Sequence, residues 1–393
     1  MEVYLDNSAT TKQYDQVTEK MCQAMKENFG NPSSLHRMGL NAEKLVKEAR
    51  EQLGSMIGAK KEQVFFTSCG TESNNTVLFG TAEAKKRQCR KIITTKIEHP
   101  AILEPASRLE QMGFQVEYLD VDKNCQVDLE QLKNALSEDT MLISVMTVNN
   151  ETGAGQPIDE IAKIKDEFND KHGAKVWLHT DAVQALGKVD CNINGNFRGV
   201  DLISGSAHKI HGPKGMGLLY IRKGLNLKPY LLGGGQESHF RSGTENVPGI
   251  VGFGLASKMA MENFDQRVDN MARCRQYLLD GIKTNLSDIL INSPEDDRAC
   301  PSVLNVSFLG TRGEVILHTL EQDGIYVSTG SACSSNKNAK GSHVLNAMGL
   351  SFKEIEGAIR FSFSEFNTIN EMDYCLEKIT NAVNRFRKLG AFR

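Results

Sequence analysis

The feature of this sequence that most constrains its fold is the repeated alternation of short apolar runs with amphipathic helical stretches. The stretches at residues 100–112 and 158–172 carry apolar side chains three and four positions apart. Apolar runs suited to buried strands begin at Val64, Lys91, Phe114, Met141, Lys175, Asp201 and Gly217. Several runs are continuously apolar, which is typical of parallel strands buried on both faces. The alternation predicts an α/β fold with a mainly parallel sheet flanked by helices.

The length of the chain and a change of pattern indicate a second, smaller domain. A single hydrophobic core rarely grows beyond about 250 to 300 residues, and this chain has 393. After about residue 246 a long helical segment is followed by short apolar runs and a final helical stretch at 370–386, a pattern typical of an α+β domain. Residues 328–343 are polar, rich in Gly, Ser, Asn and Lys, and lack periodicity, which predicts a mobile loop.

The charge balance and the N-terminus narrow the class of partner. Lys and Arg total 46 against 49 Asp and Glu, a formal net charge of -3, which gives no support for binding nucleic acid or an anionic membrane. The N-terminus lacks the basic and apolar regions of a signal peptide, so we expect a cytoplasmic protein with no membrane partner. The nine cysteines include no CxxC pair, and we expect most to be reduced. Only His208 and His211 are spaced like a ligand pair, and we expect no metal site.

Polar side chains follow four of the predicted strands, at the edge where open α/β sheets bind ligands. Gly70 and Thr71 come after the first strand at a predicted helix start, where backbone N–H groups, a hydroxyl and the helix dipole suit a phosphate. His99 follows the next strand, and its imidazole suits stacking on a planar ring or moving a proton. The two remaining strand ends carry Asp181 with Gln184, and His208 with Lys209.

Together these groups match the needs of pyridoxal phosphate, which are a phosphate anchor, ring support, a carboxylate for the pyridine nitrogen and a Schiff-base lysine. Each group alone has an ordinary explanation, because most lysines are solvated and a lone buried histidine is usually a hydrogen-bonded core residue. The combination favours a pyridoxal phosphate enzyme. A nicotinamide-dependent, dinucleotide-binding oxidoreductase is the alternative from another class, since Gly153 and Gly155 form a GxG between a predicted strand and helix, although Pro157 and Ile158 interrupt the fingerprint.

Short motifs spread over most of the chain carry a family resemblance. They are YLDNSATT at Tyr4, FGNPSSLH at Phe29, TESNN at Thr71, EHPAI at Glu98, VNNETG at Val148, HTDAVQ at His179, SAHKIHGPKG at Ser206, RSGTEN at Arg241, STGSAC at Ser328 and IRFSF at Ile359. In this order, from about residue 3 to 366, the chain resembles the cysteine desulfurases, which are fold-type I pyridoxal phosphate enzymes. The long cysteine-bearing segment is similar to the branch that serves iron–sulfur cluster assembly and nitrogenase maturation.

The resemblance implies an aminotransferase-like fold and a homodimer. The large, cofactor-binding domain would comprise residues 14–257, and the small domain residues 1–13 and 258–393. The small domain would carry the mobile cysteine loop at about 328–343.

The resemblance also implies roles around the cofactor ring. Lys209 would form the Schiff base and move the proton at the substrate Cα, and His99 would stack on the ring and exchange protons with nearby groups. Asp181 would pair with the pyridine nitrogen. Gln184 and Asn150 would face the phenolate oxygen.

Further positions are assigned to the phosphate and to the substrate by the same resemblance. The phosphate would be held by Gly70, Thr71, Ser206 and His208, joined by Thr244 from the other subunit. Arg360 with Asn31 would bind the substrate carboxylate, and Cys333 would accept the sulfur.

The implied reaction converts L-cysteine to L-alanine and leaves a persulfide on Cys333, with Lys209 and His99 as the other catalytic residues. An iron–sulfur scaffold or another sulfur acceptor would be the protein partner. A selenocysteine lyase or an aminotransferase on the same fold is the alternative. One position departs from the family, because Cys69 stands where glycine is common. The simpler explanation is that Cys69 is a small residue that fills space. The alternative is that it is a second reactive thiol, because it stands at a predicted helix N-terminus.

Overall fold

The computed structural model describes residues 1–329 and 341–390. Its strands are β1 (Val3–Tyr4), β2 (Val64–Thr67), β3 (Lys91–Thr95), β4 (Gln115–Leu119), β5 (Thr140–Ser144), β6 (Trp177–Asp181), β7 (Leu202–Ser206), β8 (Gly217–Ile221), β9 (Ile289–Ile291), β10 (Val303–Phe308), β11 (Ile325–Tyr326) and β12 (Ala358–Ser362). Its α-helices are α1 (Asp15–Glu27), α2 (Arg37–Ile57), α3 (Gly70–Lys85), α4 (Pro100–Gln111), α5 (Leu129–Ala135), α6 (Ile158–His172), α7 (Val247–Met261), α8 (Phe264–Asn285), α9 (Gly313–Gln322), α10 (His343–Ala347), α11 (Phe352–Glu356) and α12 (Ile369–Lys388).

A seven-stranded sheet with the order β2-β8-β7-β6-β5-β3-β4 forms the centre of the molecule. Strand β8 is antiparallel to both of its neighbours, and the other pairs are parallel. The residues of β3, β5, β7 and β8 are all buried, as the continuously apolar runs of the sequence require. The predicted α/β fold with a mainly parallel sheet is confirmed.

Two details differ from the sequence-based expectation. Helix α5 was not predicted, because its seven residues are too few for a clear helical period. The long helical segment after residue 246 is divided into α7 and α8 by Asn263, whose φ is 53°. Asparagine tolerates this left-handed conformation better than most residues, so the chain can turn there without glycine.

A second group of strands lies near the two chain ends. Strands β12, β10 and β9 form an antiparallel sheet, and β1 pairs in parallel with β11. Val3 and Leu5 belong to the same buried apolar cluster as residues between 271 and 383. On this basis we propose that residues 14–257 form one domain and residues 1–13 with 258–393 the other, with the boundary inside α7.

None of the helices in residues 1–329 and 341–390 is long and apolar enough to cross a bilayer.

An ion pair between Arg50 and Glu237 covers the edge of β2 that pairs with no other strand among the described residues. The Arg50 guanidinium donates to both carboxylate oxygens of Glu237, at 2.7 and 2.6 Å, and to the backbone oxygen of Val64 at 2.6 Å. Glu237 in turn accepts from the backbone N–H of Phe66 at 2.9 Å. The pair therefore satisfies edge groups that a further strand would otherwise bond.

Replacement of Arg50 by methionine should destabilise the fold, because it leaves the Glu237 carboxylate buried without its cation. We expect the free energy of unfolding in urea to fall by about 3 to 5 kcal/mol. The matched control is Lys47→Met, which removes an exposed helical pair with Glu43 and should leave the urea midpoint nearly unchanged. Equal midpoints for Arg50→Met and the wild type would contradict this role.

Candidate active site

A cavity of about 260 Å³ lies at the carboxyl ends of the central strands. It is lined by Ser8, Ala9, Cys69, Gly70, Thr71, Asn74, His99, Ala101, Met146, Val148, Asn150, Asp181, Val183, Gln184, Ser206, His208, Lys209 and Arg360. Since Arg360 lies on β12 and Lys209 follows β7, the cavity is situated where the small antiparallel sheet approaches the central one. Most residues that the sequence predicts for the site therefore share one cavity.

Lys209 ends a short 3₁₀ turn, Ala207–Lys209, directly after β7. Its ammonium donates to the backbone oxygen of Ser8 and, at 2.8 Å, to that of Ala9. The N-terminal segment thus holds the amine at the cavity wall through neutral acceptors.

Asp181 is the last residue of β6 and is buried. One of its carboxylate oxygens accepts from the backbone N–H of Val183 at 2.9 Å, and the other accepts from the side-chain amide of Asn74 at 2.7 Å. These donors orient the carboxylate and stabilise its negative charge. Sequence reasoning missed Asn74 as a site residue, although it lies within the TESNN motif.

His99 caps the N-terminus of α4, and its Nδ1 accepts from the backbone N–H of Ala101 at 3.1 Å. Burial lowers the pKa of His99, Asp181 opposes the shift, and the positive charges of Lys209 and His343 add to it. The imidazole is therefore neutral near pH 7. With Nδ1 as an acceptor, its proton lies on Nε2.

The residue before His99 anchors this corner of the site and was also missed. Glu98 is fully buried, and its Oε1 accepts from the Thr95 hydroxyl at 2.8 Å and from the Met146 backbone N–H at 2.9 Å. Burial raises the pKa of Glu98 to about 8. A carboxyl group that is neutral at pH 7 thus joins β3 to the chain that follows β5.

Gly70 and Thr71 begin α3, whose N-terminus faces the cavity beside Ser206 and His208. A Cβ at Gly70 would lie 2.7 Å from a methyl carbon of Val183, so a larger residue there would force Val183 to move. Burial lowers the pKa of His208 to about 4, and nearby lysines contribute, which leaves a neutral imidazole. Backbone N–H groups, hydroxyls and the helix dipole together suit a phosphate.

Arg360 is almost fully buried and points into the cavity from β12. Its guanidinium donates to the backbone oxygen of Asn150 at 3.0 Å and to the carboxylate of Asp6 at 2.8 Å. Among residues 1–329 and 341–390, its Nε has no hydrogen-bond partner. A substrate carboxylate would supply the missing acceptor.

Two predicted residues do not line this cavity, and a third cannot be placed relative to it. Asn31 is exposed, and its side chain accepts from the backbone N–H of Ser33 at 2.9 Å. Thr244 is exposed beside a separate depression. Cys333 lies outside the described residues.

The glycines of the alternative dinucleotide motif also lie elsewhere. Gly153 has a φ of 74°, and a Cβ there would meet Val303, while Gly155 abuts the backbone of Arg298. Both glycines permit close packing against the C-terminal part of the chain. Neither lines the cavity.

We call the N-terminus of α3, at Gly70 and Thr71, the anion cradle. This cradle lies with a lysine, a carboxylate and an imidazole at the carboxyl ends of a mainly parallel sheet, as in aminotransferase-like enzymes of fold type I. The chain belongs to the aminotransferase class-V family, whose model matches residues 3–375.

Relatives of known activity match the whole chain. The cysteine desulfurase IscS of Dictyoglomus turgidum is 42% identical over 392 residues, which are 100% of this chain and 97% of that protein. A cysteine desulfurase of Trichormus azollae is 40% identical over 391 residues, 100% of this chain and 95% of that protein. A solved NifS-like protein has a TM-score of 0.90 at 40% identity, covering 98% of this chain and 100% of that one. A solved structure of SspA in complex with cysteine has a TM-score of 0.80 at 32% identity, covering 93% of this chain and 100% of that one.

Trp177, the only tryptophan, should report on cofactor binding. It lies on β6 four positions before Asp181, so both side chains are on the same face of the sheet, roughly 13 Å apart. Both contact α3, since the Lys85 ammonium lies 3.9 Å from the centre of the Trp177 ring and Asn74 bonds to Asp181. We expect pyridoxal phosphate to quench Trp177 emission by energy transfer when it is added to cofactor-free protein. Equal emission with and without bound cofactor, at matched circular dichroism, would contradict this placement.

Cys69 is half-buried at the N-terminus of α3 and lines the cavity. A bound phosphate would shield the thiol and repel its thiolate, so we expect a thiol reagent to label Cys69 more slowly in the holoprotein. Mass-spectrometric mapping of the labelled peptides measures the rate. Cys22, which is exposed outside the cavity, is the control and should label at one rate in both forms. Equal labelling rates of Cys69 with and without bound cofactor would refute the prediction.

Proposed function

We propose that this protein is a pyridoxal phosphate-dependent cysteine desulfurase, which converts L-cysteine to L-alanine and transfers the sulfur to Cys333. The observation that carries the proposal is the joint placement of Lys209, Asp181, His99 and Arg360 around one cavity. Relatives that match the full length of the chain at 40 to 42% identity are cysteine desulfurases, which supports the choice of reaction.

The residues present fit pyridoxal phosphate. The cavity joins an anion cradle at Gly70 and Thr71 to the Lys209 amine. Two buried polar atoms at its wall, Ser8 Oγ and Asn74 Oδ1, have no hydrogen-bond partner in the part of the chain that the structure describes. When bound, the cofactor would act as an electron sink for the bond changes at the substrate Cα and Cβ.

Asp181 would keep the pyridine nitrogen protonated, because two donors hold its carboxylate next to the ring site. His99 would cover the ring with a neutral imidazole that can donate the proton on its Nε2, because its Nδ1 already accepts from the Ala101 N–H. Lys209 would bind the cofactor aldehyde and, once released by substrate, move the proton at the substrate Cα. Before that, the carbonyls of Ser8 and Ala9 hold its amine in place.

Arg360 would orient L-cysteine through its carboxylate. The guanidinium is already fixed by Asn150 and Asp6, so little side-chain entropy is lost on binding. We infer that Asn31 joins this contact, although it lies outside the cavity of a single chain.

The sulfur step requires a thiolate. Cys333 would form an S–S bond with the substrate sulfur as the substrate C–S bond breaks, which leaves a persulfide on the enzyme and releases alanine. A second thiol-bearing protein would then take the sulfur, and we propose an iron–sulfur scaffold or a comparable acceptor for this role.

The proposal includes a homodimer in the cytoplasm. Thr244 is exposed and does not reach the cavity of its own chain. Its placement fits a residue that completes the phosphate site of a second subunit.

The replacement of Cys333 by alanine tests the sulfur chemistry separately from the cofactor chemistry. Cys333→Ala should keep the dimer, the yellow colour and the spectral change that L-cysteine causes, since none of these uses the thiol. Alanine production from L-cysteine should nevertheless fall at least a hundredfold, because no nucleophile attacks the sulfur. Lys209→Ala should lose the visible band of the wild type and all turnover.

Selenocysteine is the matched substrate control, because selenium leaves more readily than sulfur and needs less help from a thiol. Cys333→Ala should retain more activity on selenocysteine than on cysteine. Wild-type desulfuration by Cys333→Ala, or a persulfide mapped to another cysteine, would overturn the assignment and favour a lyase or an aminotransferase.

A further inference from the structure

Lys188 is a buried lysine to which the proposed reaction gives no role. It lies in the turn that follows β6, four residues after Gln184, and only 6% of it is exposed. Its ammonium donates to the side-chain oxygen Oε1 of Gln184 at 3.1 Å. Among the described residues no carboxylate forms an ion pair with it.

Burial of this amine is unfavourable. Burial lowers the pKa of Lys188 to about 8, the Cys300 thiol opposes the shift, and the positive charges of Arg360 and Arg267 add to it. A methionine would fill the same space without this penalty. The function of this amine is therefore to be sought in the one hydrogen bond that it forms among the described residues, to Gln184.

That acceptor belongs to an amide whose orientation matters. Gln184 lines the cavity, and its Nε2 donates to the backbone oxygen of Ser8 at 2.9 Å. An ammonium can only donate and a carbonyl oxygen can only accept. Rotation of the amide by 180° would place Nε2 against the ammonium and Oε1 against the carbonyl, so these two neighbours permit one orientation only.

The fixed orientation determines which polar group of Gln184 is available to a ligand in the cavity. Nε2 carries two hydrogens, and the Ser8 carbonyl takes one of them. The second N–H has no acceptor among the described residues. Gln184 is thus held as a hydrogen-bond donor towards a bound ligand, with its acceptor oxygen turned away.

We propose that Lys188 is a positioning residue that fixes the Gln184 amide, so that Gln184 presents an N–H and not a carbonyl oxygen to the ligand. This inference rests on the proposed function, in which the ligand atom beside Gln184 is the phenolate oxygen of pyridoxal phosphate. A phenolate oxygen only accepts, and the positive charge on Lys188 polarises the amide so that its N–H is a stronger donor.

The test is a pH titration of the visible absorbance of the holoprotein. A donor to the phenolate stabilises the deprotonated chromophore, so its loss raises the pH midpoint. We expect Lys188→Met to raise the midpoint by about half a unit to one unit, the size of one lost hydrogen bond. Lys163→Met, which removes an exposed lysine of α6, should leave it unchanged.

A double-mutant cycle separates action through Gln184 from the through-space effect of the Lys188 charge. Gln184→Ala should raise the midpoint by itself, and adding Lys188→Met to it should cause no further shift. Lys188→Arg, which keeps the charge and the donor, should restore most of the wild-type midpoint. If Lys188→Met fails to fold, the pH midpoint is measured in Lys188→Arg instead.

Two results would overturn the inference. One is an unchanged midpoint in Lys188→Met with the cofactor bound, and the other is an equal shift by Lys188→Met with and without Gln184. Failure of the proposed function has a different signature, because the wild-type protein would then gain no visible band with pyridoxal phosphate.

Discussion

The direction of the central strands brings the carboxyl ends of β2, β3, β6 and β7 to one edge of the sheet, and the geometry of the cavity depends on this register. Parallel pairing aligns β3, β5, β6 and β7, and β2 runs in the same direction because it and β7 are both antiparallel to β8. Asp181 on β6 lies opposite Ser204 on β7, which sets the carboxylate beside the turn that carries Lys209. The N-terminus of α3 lies at the same edge, next to Ser206. A slip of one residue in any strand would turn its last side chain to the other face of the sheet. The register is held by strands that are buried on both faces.

The N-terminal segment connects the C-terminal apolar core to the site. Val3 and Leu5 pack with the C-terminal core, whereas Ser8 and Ala9 line the cavity and accept hydrogen bonds from Lys209. Ser8 also accepts from Gln184. One short stretch therefore packs into the C-terminal core and also holds the Lys209 amine at the cavity wall.

The charges of the side chains in the site depend on burial as much as on ion pairs. His99 and His208 both have lowered pKa values because they are buried near lysines, so they act as neutral rings at pH 7. Lys188 retains an amine in a buried position, where the Gln184 amide is its one hydrogen-bond partner among the described residues. Glu72, beside the anion cradle, pairs instead with Arg241 at 2.8 Å. Lys209 and Arg360 bring positive charge to the cavity wall, which suits a ligand with a phosphate and a carboxylate.

Local patterns in the sequence were enough to predict most of the fold and much of the site. Apolar runs located β2, β3, β4, β7 and β8 to within about a residue. For β3, β7 and β8 the runs are continuous because these strands are buried on both faces, which leaves no polar alternation. The strand-end rule then identified Lys209, His99 and Asp181, since parallel strands present their carboxyl ends together. The role of Cys333 was implied by family resemblance and by its sequence context, and it stays a prediction.

Tertiary contacts alone decided the remaining features. Asn74 reaches Asp181 across 107 positions, Lys209 meets Ser8 across 201, and Arg360 meets Asn150 across 210. No local period or motif encodes such pairs, because they follow from how separate elements pack. The same holds for Lys188, whose sequence context resembles that of any turn lysine. Its importance arises only because folding buries its amine against one amide of the cavity wall.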